Sequence, residues 1–242
     1  MRVGSTWLCD LISGLFKRKS WVFWERGKYI PKKRFEKQIK SNKGINIFKM
    51  HYTHPKLICD LITPGDQNNF VISITRDLKD IAVSKILYIK YDKPMRSLNR
   101  LKSINDMRID FGRKDLSDRR YINLFIGSPH FKHIVENWKM YNDGFSHPNY
   151  LLLTYEELHA RRLYVMKKVT NFLNIYRNNK GLRQIIIENN FNSKSGRKNG
   201  DGVNSSFRRK GIVGDFKNFI NKRNIEYIDK LVYDYEHRET EE

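Results

Sequence analysis

Acidic residues are scarce in this chain. Its 242 residues hold 26 Asp and Glu against 47 Lys and Arg, a formal net charge of +21 at pH 7. Such an imbalance suits an anionic partner: a nucleotide, a nucleic acid, a sulfated or phosphorylated substrate, or a membrane surface. Charge alone does not choose among them. Cysteine is scarcer still, with only Cys9 and Cys59. Both lie among apolar neighbours and neither belongs to a C-x-x-C pair, which argues against a disulfide framework. Two buried free thiols in a reducing cytosol are expected. No apolar run approaches the length of a membrane span. The N-terminus lacks the apolar core and cleavage site of a secretory signal. A cytoplasmic protein without membrane association is therefore expected. Carboxylates, histidines and cysteines nowhere cluster at metal-ligand spacing, so no metal is expected.

What is present can build a core. Hydrophobic residues make up 39% of the chain and aromatics 13%, enough for one domain over residues 1–242. Trp7, Leu8, Leu11, Ile12, Leu15 and Phe16 recur at helical spacing behind Gly4-Ser5-Thr6. A basic, exposed stretch is expected from Lys17 to Lys43. The runs INIFKM (45–50), FVISI (70–74) and YLLLTY (150–155) read as short buried strands. Asp77 can cap a helix whose inner face holds Leu78, Ile81, Ala82, Ile86, Leu87 and Ile89. Residues 92–127 read as a polar, irregular excursion or lid. Ser128-Pro129 restarts a helix with Phe131, Ile134, Val135 and Trp138 on one face. One helix is expected to follow the third strand through VTNFL, another to cover 181–189, and a last to run from Asn221 to His237. The segment 192–206 reads as a mobile loop. Strands alternating with helices imply an α/β fold, a central parallel sheet wrapped by helices. Ligands of such sheets sit beyond the C-terminal strand ends, where the first loop, His51, Arg76 and Tyr155 fall.

Three stretches carry candidate chemistry. Amides at the start of the first helix, with the Ser5 and Thr6 hydroxyls and the Arg2 cation, can cradle an anion. Trp7 offers a flat face to a base. The rival reading is that Ser5 only caps the helix and Trp7 is core. In TRDLKDIAVSKI, Arg76 follows a strand and Ser84 lies eight residues on, roughly 12 Å along the same helix face. In FRRKGIVGDFKN, Arg209 and Lys210 precede Gly211 in a glycine-punctuated turn suited to a terminal phosphate. Each alone has an ordinary surface reading.

Together, and in this order, they resemble the cytosolic sulfotransferase family, which uses 3′-phosphoadenosine 5′-phosphosulfate (PAPS) as donor. The family's loop P-K-S-G-T-T-W-L appears as Arg2-Val3-Gly4-Ser5-Thr6-Trp7-Leu8. Its R-x-x-K-D-x-A-V-S element matches Arg76, Lys79, Asp80, Ala82, Val83 and Ser84. Its late signature R-K-G-x-x-G-D-W-K-N appears as RKGIVGDFKN, with Phe216 for Trp. KMH (49–51), HIVENW and TYEEL also resemble family segments. The resemblance implies a P-loop-like sheet with PAPS as co-substrate. Gly4, Ser5, Thr6 and the loop amides would hold the 5′-phosphosulfate end together with Arg2. Trp7 would stack on adenine, with Tyr155 and Phe191 near the base. Arg76 and Ser84 would bind the 3′-phosphate, joined by Arg209, Lys210 and Gly211. His51 would be the general base, and Lys49 and Arg2 would stabilise the bridging oxygen.

The chemistry supports those roles. An alcohol or phenol loses a proton as it attacks sulfur, and histidine is the side chain poised near neutral pH. General base catalysis of this kind contributes ~10²–10⁴-fold. Fixed cations aimed at a leaving phosphate oxygen lower the barrier further. The implied activity is sulfuryl transfer to the hydroxyl of a small alcohol or phenol, with no nucleic-acid partner. The sequence departs from the family pattern in several places. Arg2 replaces a lysine, and Asn189 stands where threonine is usual. The stretch from Phe191 to Arg209 is short. The dimer element keeps Lys217 and Glu226 but has Asn221 and Lys222 for Thr-Val, so a homodimer is only half supported. The strand that should feed the first loop is missing, which implies a truncated N-terminus or an internal start. The rival readings are a truncated or inactive sulfotransferase relative, a nucleotide kinase, and a basic nucleic-acid-binding protein.

Overall fold

A computed structural model of the chain describes residues 4–17, 21–22, 48–49, 69–91, 117–143, 147–190, 193, 196 and 211–237. In chain order the elements are α1 (Ser5–Phe16), β1 (Trp21–Val22), β2 (Phe48–Lys49), β3 (Val71–Thr75), α2 (Leu78–Tyr91), α3 (Asp118–Ile126), α4 (Pro129–Asn142), β4 (Tyr150–Thr154), α5 (Tyr155–Ala160), α6 (Arg162–Phe172), α7 (Asn179–Glu188), a 3₁₀ turn (Asp215–Asn218) and α8 (Lys222–Glu236). The α/β reading holds. β1 pairs with β2 in parallel, Trp21 opposite Phe48 and Val22 opposite Lys49, and β3 pairs with β4 in a second two-stranded sheet. Of the 45–50 run only Phe48–Lys49 is described, and it is strand.

The chain divides into two compact units. The first contains Val3–Ile74 and Phe145–Arg197; the second contains Met1–Arg2, Thr75–Gly144 and Lys198–Glu242. In the first unit, Leu8, Leu11 and Leu15 of α1 meet Leu153, Leu158, Val165, Met166, Val169 and Leu182 in one apolar cluster. Each fully buried leucine contributes about 1.5–3 kcal/mol. Gly14 lets α1 lie close on α7, since a Cβ there would stand 2.9 Å from Ile185 Cγ2. Cys9 is buried and unbridged, as expected, while Cys59 lies outside the described residues.

In the second unit α2 is the central element. Leu78, Ile81, Ala82, Ile86 and Leu87 are all buried, as their spacing predicts; the side chain of Ile89 lies outside the described residues. Asp77 caps the helix, its carboxylate accepting from the amides of Lys79 (2.8 Å) and Asp80 (3.1 Å). Ser128 caps α4 with Pro129 in the first turn, and Asn221 caps α8. These are local rules applied locally.

Three expectations need correction. The stretch 17–43 is not wholly an exposed basic segment, because Trp21–Val22 pairs as β1. The stretch 92–127 is not irregular throughout. It contains α3, capped by the Ser117 hydroxyl, with Tyr121, Ile122, Phe125 and Ile126 buried on one face. That i, i+1, i+4, i+5 pattern was visible, but the surrounding charge obscured it. The helix expected through VTNFL is interrupted at Arg161 (φ −130°, ψ 50°), which separates α5 from α6.

Candidate active site

The first loop enters α1 through Gly4, whose φ of 85° lies in the left-handed region. A side chain is excluded there on two counts. The backbone conformation is costly for an L-residue, and a Cβ would stand 2.4 Å from Cδ2 of Tyr155. Ser5 does not cap the helix, because Gly4 holds that position and, being glycine, offers no side-chain cap. The first helical bond runs from Leu8 N to Gly4 O at 3.1 Å. Amides N-terminal to Leu8 therefore point out of the helix. The first turn carries no acidic residue, so the positive end of the helix dipole is not met by a local carboxylate.

Trp7 is half-buried within an aromatic and cationic cluster. Tyr155 meets its ring edge-on at 6.0 Å and His159 at 6.5 Å, and the Arg162 guanidinium lies over the ring 5.3 Å from its centre. The break at Arg161 places residues of α5 and α6 around one indole. His159 and Arg162 are not among the residues that the sequence singles out. Neither belongs to a local pattern that would mark it. Trp7 Nε1 and Arg162 Nε are both buried with no hydrogen-bond partner among the described residues, an arrangement that costs about 1–3 kcal/mol per group unless an acceptor arrives.

In the second unit the other two stretches meet. Arg76, immediately beyond β3, donates from Nη2 to Asp80 Oδ2 and to the carbonyl of Ile212, each at 3.0 Å. Asp80 is 2% exposed. Besides Arg76, it accepts from the amides of Gly214 (2.8 Å) and Phe216 (3.2 Å). One carboxylate thus fastens the glycine turn to the start of α2, across a sequence separation of more than 130 residues. Gly211 (φ 66°) and Gly214 (φ 80°) supply the left-handed conformations this turn needs. Lys79 adds a second tie. Its ammonium lies 5.1 Å from the centre of the Phe216 ring and pairs with Asp229. Phe216 therefore supplies an aromatic face where the family motif has tryptophan. From the other side, Trp138 Nε1 donates to the Arg76 carbonyl at 3.0 Å, and Asn142 donates to Thr75 Oγ1 at 3.1 Å. Ser84 is buried on α2.

The structure thus brings Gly4, Trp7 and Tyr155 together in one unit. It brings Arg76 and the turn beginning at Gly211 together in the other. Arg2, His51, Phe191, Arg209 and Lys210, with the side chain of Lys49, lie outside the described residues. Asp80 and Lys79 were matched in the motif without a role, and the structure gives them one. Their signal was the motif itself, since a buried carboxylate beside a glycine-rich turn is an acceptor for the turn's amides.

A model of the sulfotransferase domain matches residues 1–239. The chain belongs to the sulfotransferase domain family. Luciferin sulfotransferase of Photinus pyralis is 29% identical to this family member over 161 residues, 66% of this chain. The match spans 38% of the length of that curated relative. Among solved structures, mouse sulfotransferase SULT7A1 complexed with PAP has a TM-score of 0.62 at 19% identity, over 98% of this chain and 81% of that one. Retinol dehydratase in complex with androsterone and inactive cofactor PAP has a TM-score of 0.62 at 15% identity, over 100% and 80%. At such identities the likeness establishes the fold, which this sulfotransferase-family chain shares. No helix among its described residues is long and apolar enough to cross a membrane.

Proposed function

We propose that this chain acts as one sulfotransferase-like domain that transfers a sulfuryl group from PAPS to the hydroxyl of a small alcohol or phenol. The observation that carries the reading is the clamp in which Asp80 fixes both Arg76 and the Gly214–Phe216 turn. Two family segments far apart in sequence are joined there by buried, charge-assisted bonds. The residues present fit the nucleotide. Gly4 turns the chain into α1 in a left-handed conformation, and the first turn of α1 carries no acidic residue. The amides of Ser5 and Thr6 with their hydroxyls would hold the 5′ end beside Arg2. The Trp7 face opposite Arg162 would take the base, with Tyr155 and Phe191 beside it. Arg76, Ser84, Arg209, Lys210 and the Gly211 amide would hold the 3′-phosphate. When bound, PAPS supplies the sulfuryl group. His51 accepts the proton of the acceptor hydroxyl as the oxygen attacks. Lys49 and Arg2 hold positive charge against the oxygen left behind.

Calorimetric titration with adenosine 3′,5′-bisphosphate tests the reading. Arg76→Ala is expected to weaken binding by about tenfold or more, since hydrogen bonds to charged groups are worth ~1.5–3 kcal/mol. No binding at millimolar nucleotide by the wild-type chain, or binding indifferent to Arg76→Ala, overturns it. His51→Ala separates an active enzyme from an inactive relative: transfer falls by ~10²–10⁴-fold while nucleotide binding persists.

A further inference from the structure

Helices α3 and α8 of the second unit border an open cavity of about 670 Å³ that the proposed transfer chemistry does not use. Its lining includes Arg119, Arg120 and Arg223 and no carboxylate. Among the described residues none of the three guanidiniums is paired with an acid. Lys222 on the same helix as Arg223, by contrast, has Glu226 at 3.8 Å. Asn123 in the cavity lining is already satisfied. Asn123 donates to the carbonyls of Arg119 (2.7 Å) and Phe219 (2.8 Å), and its side-chain oxygen accepts from Asn221 N (2.9 Å) and Asn224 Nδ2 (2.8 Å). With its amide spent on this clasp, Asn123 has little to offer a ligand. The charged donors of the lining are the guanidinium forks, which match the geometry of sulfate and phosphate oxygens. Leu124 and Tyr227 line the same cavity and are 49% and 37% exposed, an apolar wall beside the cationic one. The volume is in the ~300–1,000 Å³ range of small-molecule sites.

We propose that this cavity binds a small organic anion with a sulfate or phosphate head and an apolar or aromatic body. The arginines take the head, and Leu124 and Tyr227 take the body. Arg119, Arg120 and Arg223 place like charges on one lining with no acid paired to them among the described residues, and an incoming anion offsets their mutual repulsion.

The test is calorimetric titration of the full chain with p-nitrophenyl sulfate and, separately, p-nitrophenyl phosphate, in the presence of saturating adenosine 3′,5′-bisphosphate. The two arms show which head is preferred, and binding by either supports the proposal. The triple variant Arg119→Gln/Arg120→Gln/Arg223→Gln is expected to lose about tenfold or more in affinity, and R223E alone a comparable amount. Circular dichroism checks that both variants fold, and their retained nucleotide binding separates this cavity from the proposed reaction site. Binding should weaken with added salt. The proposal is overturned if p-nitrophenol binds as well as its esters, if inorganic sulfate binds as tightly as the ester, or if the folded triple variant matches wild type.

Discussion

Asp80 is the residue whose removal should cost most. Its side chain is 1% exposed and that of Arg76 10%. Asp80→Ala strands the Arg76 guanidinium as a buried charge and strips the Gly214 and Phe216 amides of their acceptor. Breaking a buried ion pair from one side costs about 3–5 kcal/mol. The two amides would each add about 1–3 kcal/mol if they stayed dry, but loosening of the turn lets water reach them, so the ion-pair range is the expected total. Asp80→Asn keeps the shape and one acceptor oxygen while losing the charge, and should cost about half as much. In urea, with a slope of ~2 kcal/mol per molar, Asp80→Ala should lower the unfolding midpoint by roughly 1.5–2.5 M at unchanged slope. The same variant should bind adenosine 3′,5′-bisphosphate at least about tenfold more weakly, because Arg76 and the turn lose their common anchor. An Asp80→Ala midpoint within about 0.3 M of wild type would refute the clamp as the organising contact of this unit.

Further outcomes follow from the same contacts. Gly4→Ala forces an L-residue into the left-handed region at ~1–2 kcal/mol and drives a methyl into Tyr155; thermal melting should fall and nucleotide affinity with it, whereas Ser5→Ala should leave melting unchanged because Ser5 is no cap. Trp138→Phe removes the donor to the Arg76 carbonyl and should cost about 1 kcal/mol in urea unfolding. Burial pushes the Tyr150 phenol above its ordinary value of 10.0, with a hydrogen bond to Ser73 acting the other way. The unfolded chain therefore releases that proton first as pH rises, so the stabilisation is complete below about pH 10 and is lost as pH climbs through the folded value. Urea midpoints from about pH 8 to about pH 11 should fall more steeply for wild type than for Tyr150→Phe, and parallel curves would exclude the contribution.

Much of the fold was legible because it obeys short-range rules. The leucines of α1, the inner face of α2 and the caps Asp77, Ser128 and Asn221 act within about four residues of themselves. α3 obeys the same rules and was missed only because its apolar face sits inside a charged neighbourhood. β1 was missed because two residues carry too little alternation to read.

The candidate site divides along the same line. The amino-acid order alone determined which stretches belong to a sulfotransferase: the glycine-opened loop, the arginine before α2 and the glycine turn each keep their spacing. Only the tertiary structure decided that Asp80 joins two of those stretches, that Lys79 holds Phe216, and that Arg162 and His159 surround Trp7. Such contacts require distant segments to be brought together and dried, so that one carboxylate outcompetes water for a guanidinium and two amides. No periodicity records that event, because its free energy comes from burial and loop closure rather than from any residue's neighbours along the chain.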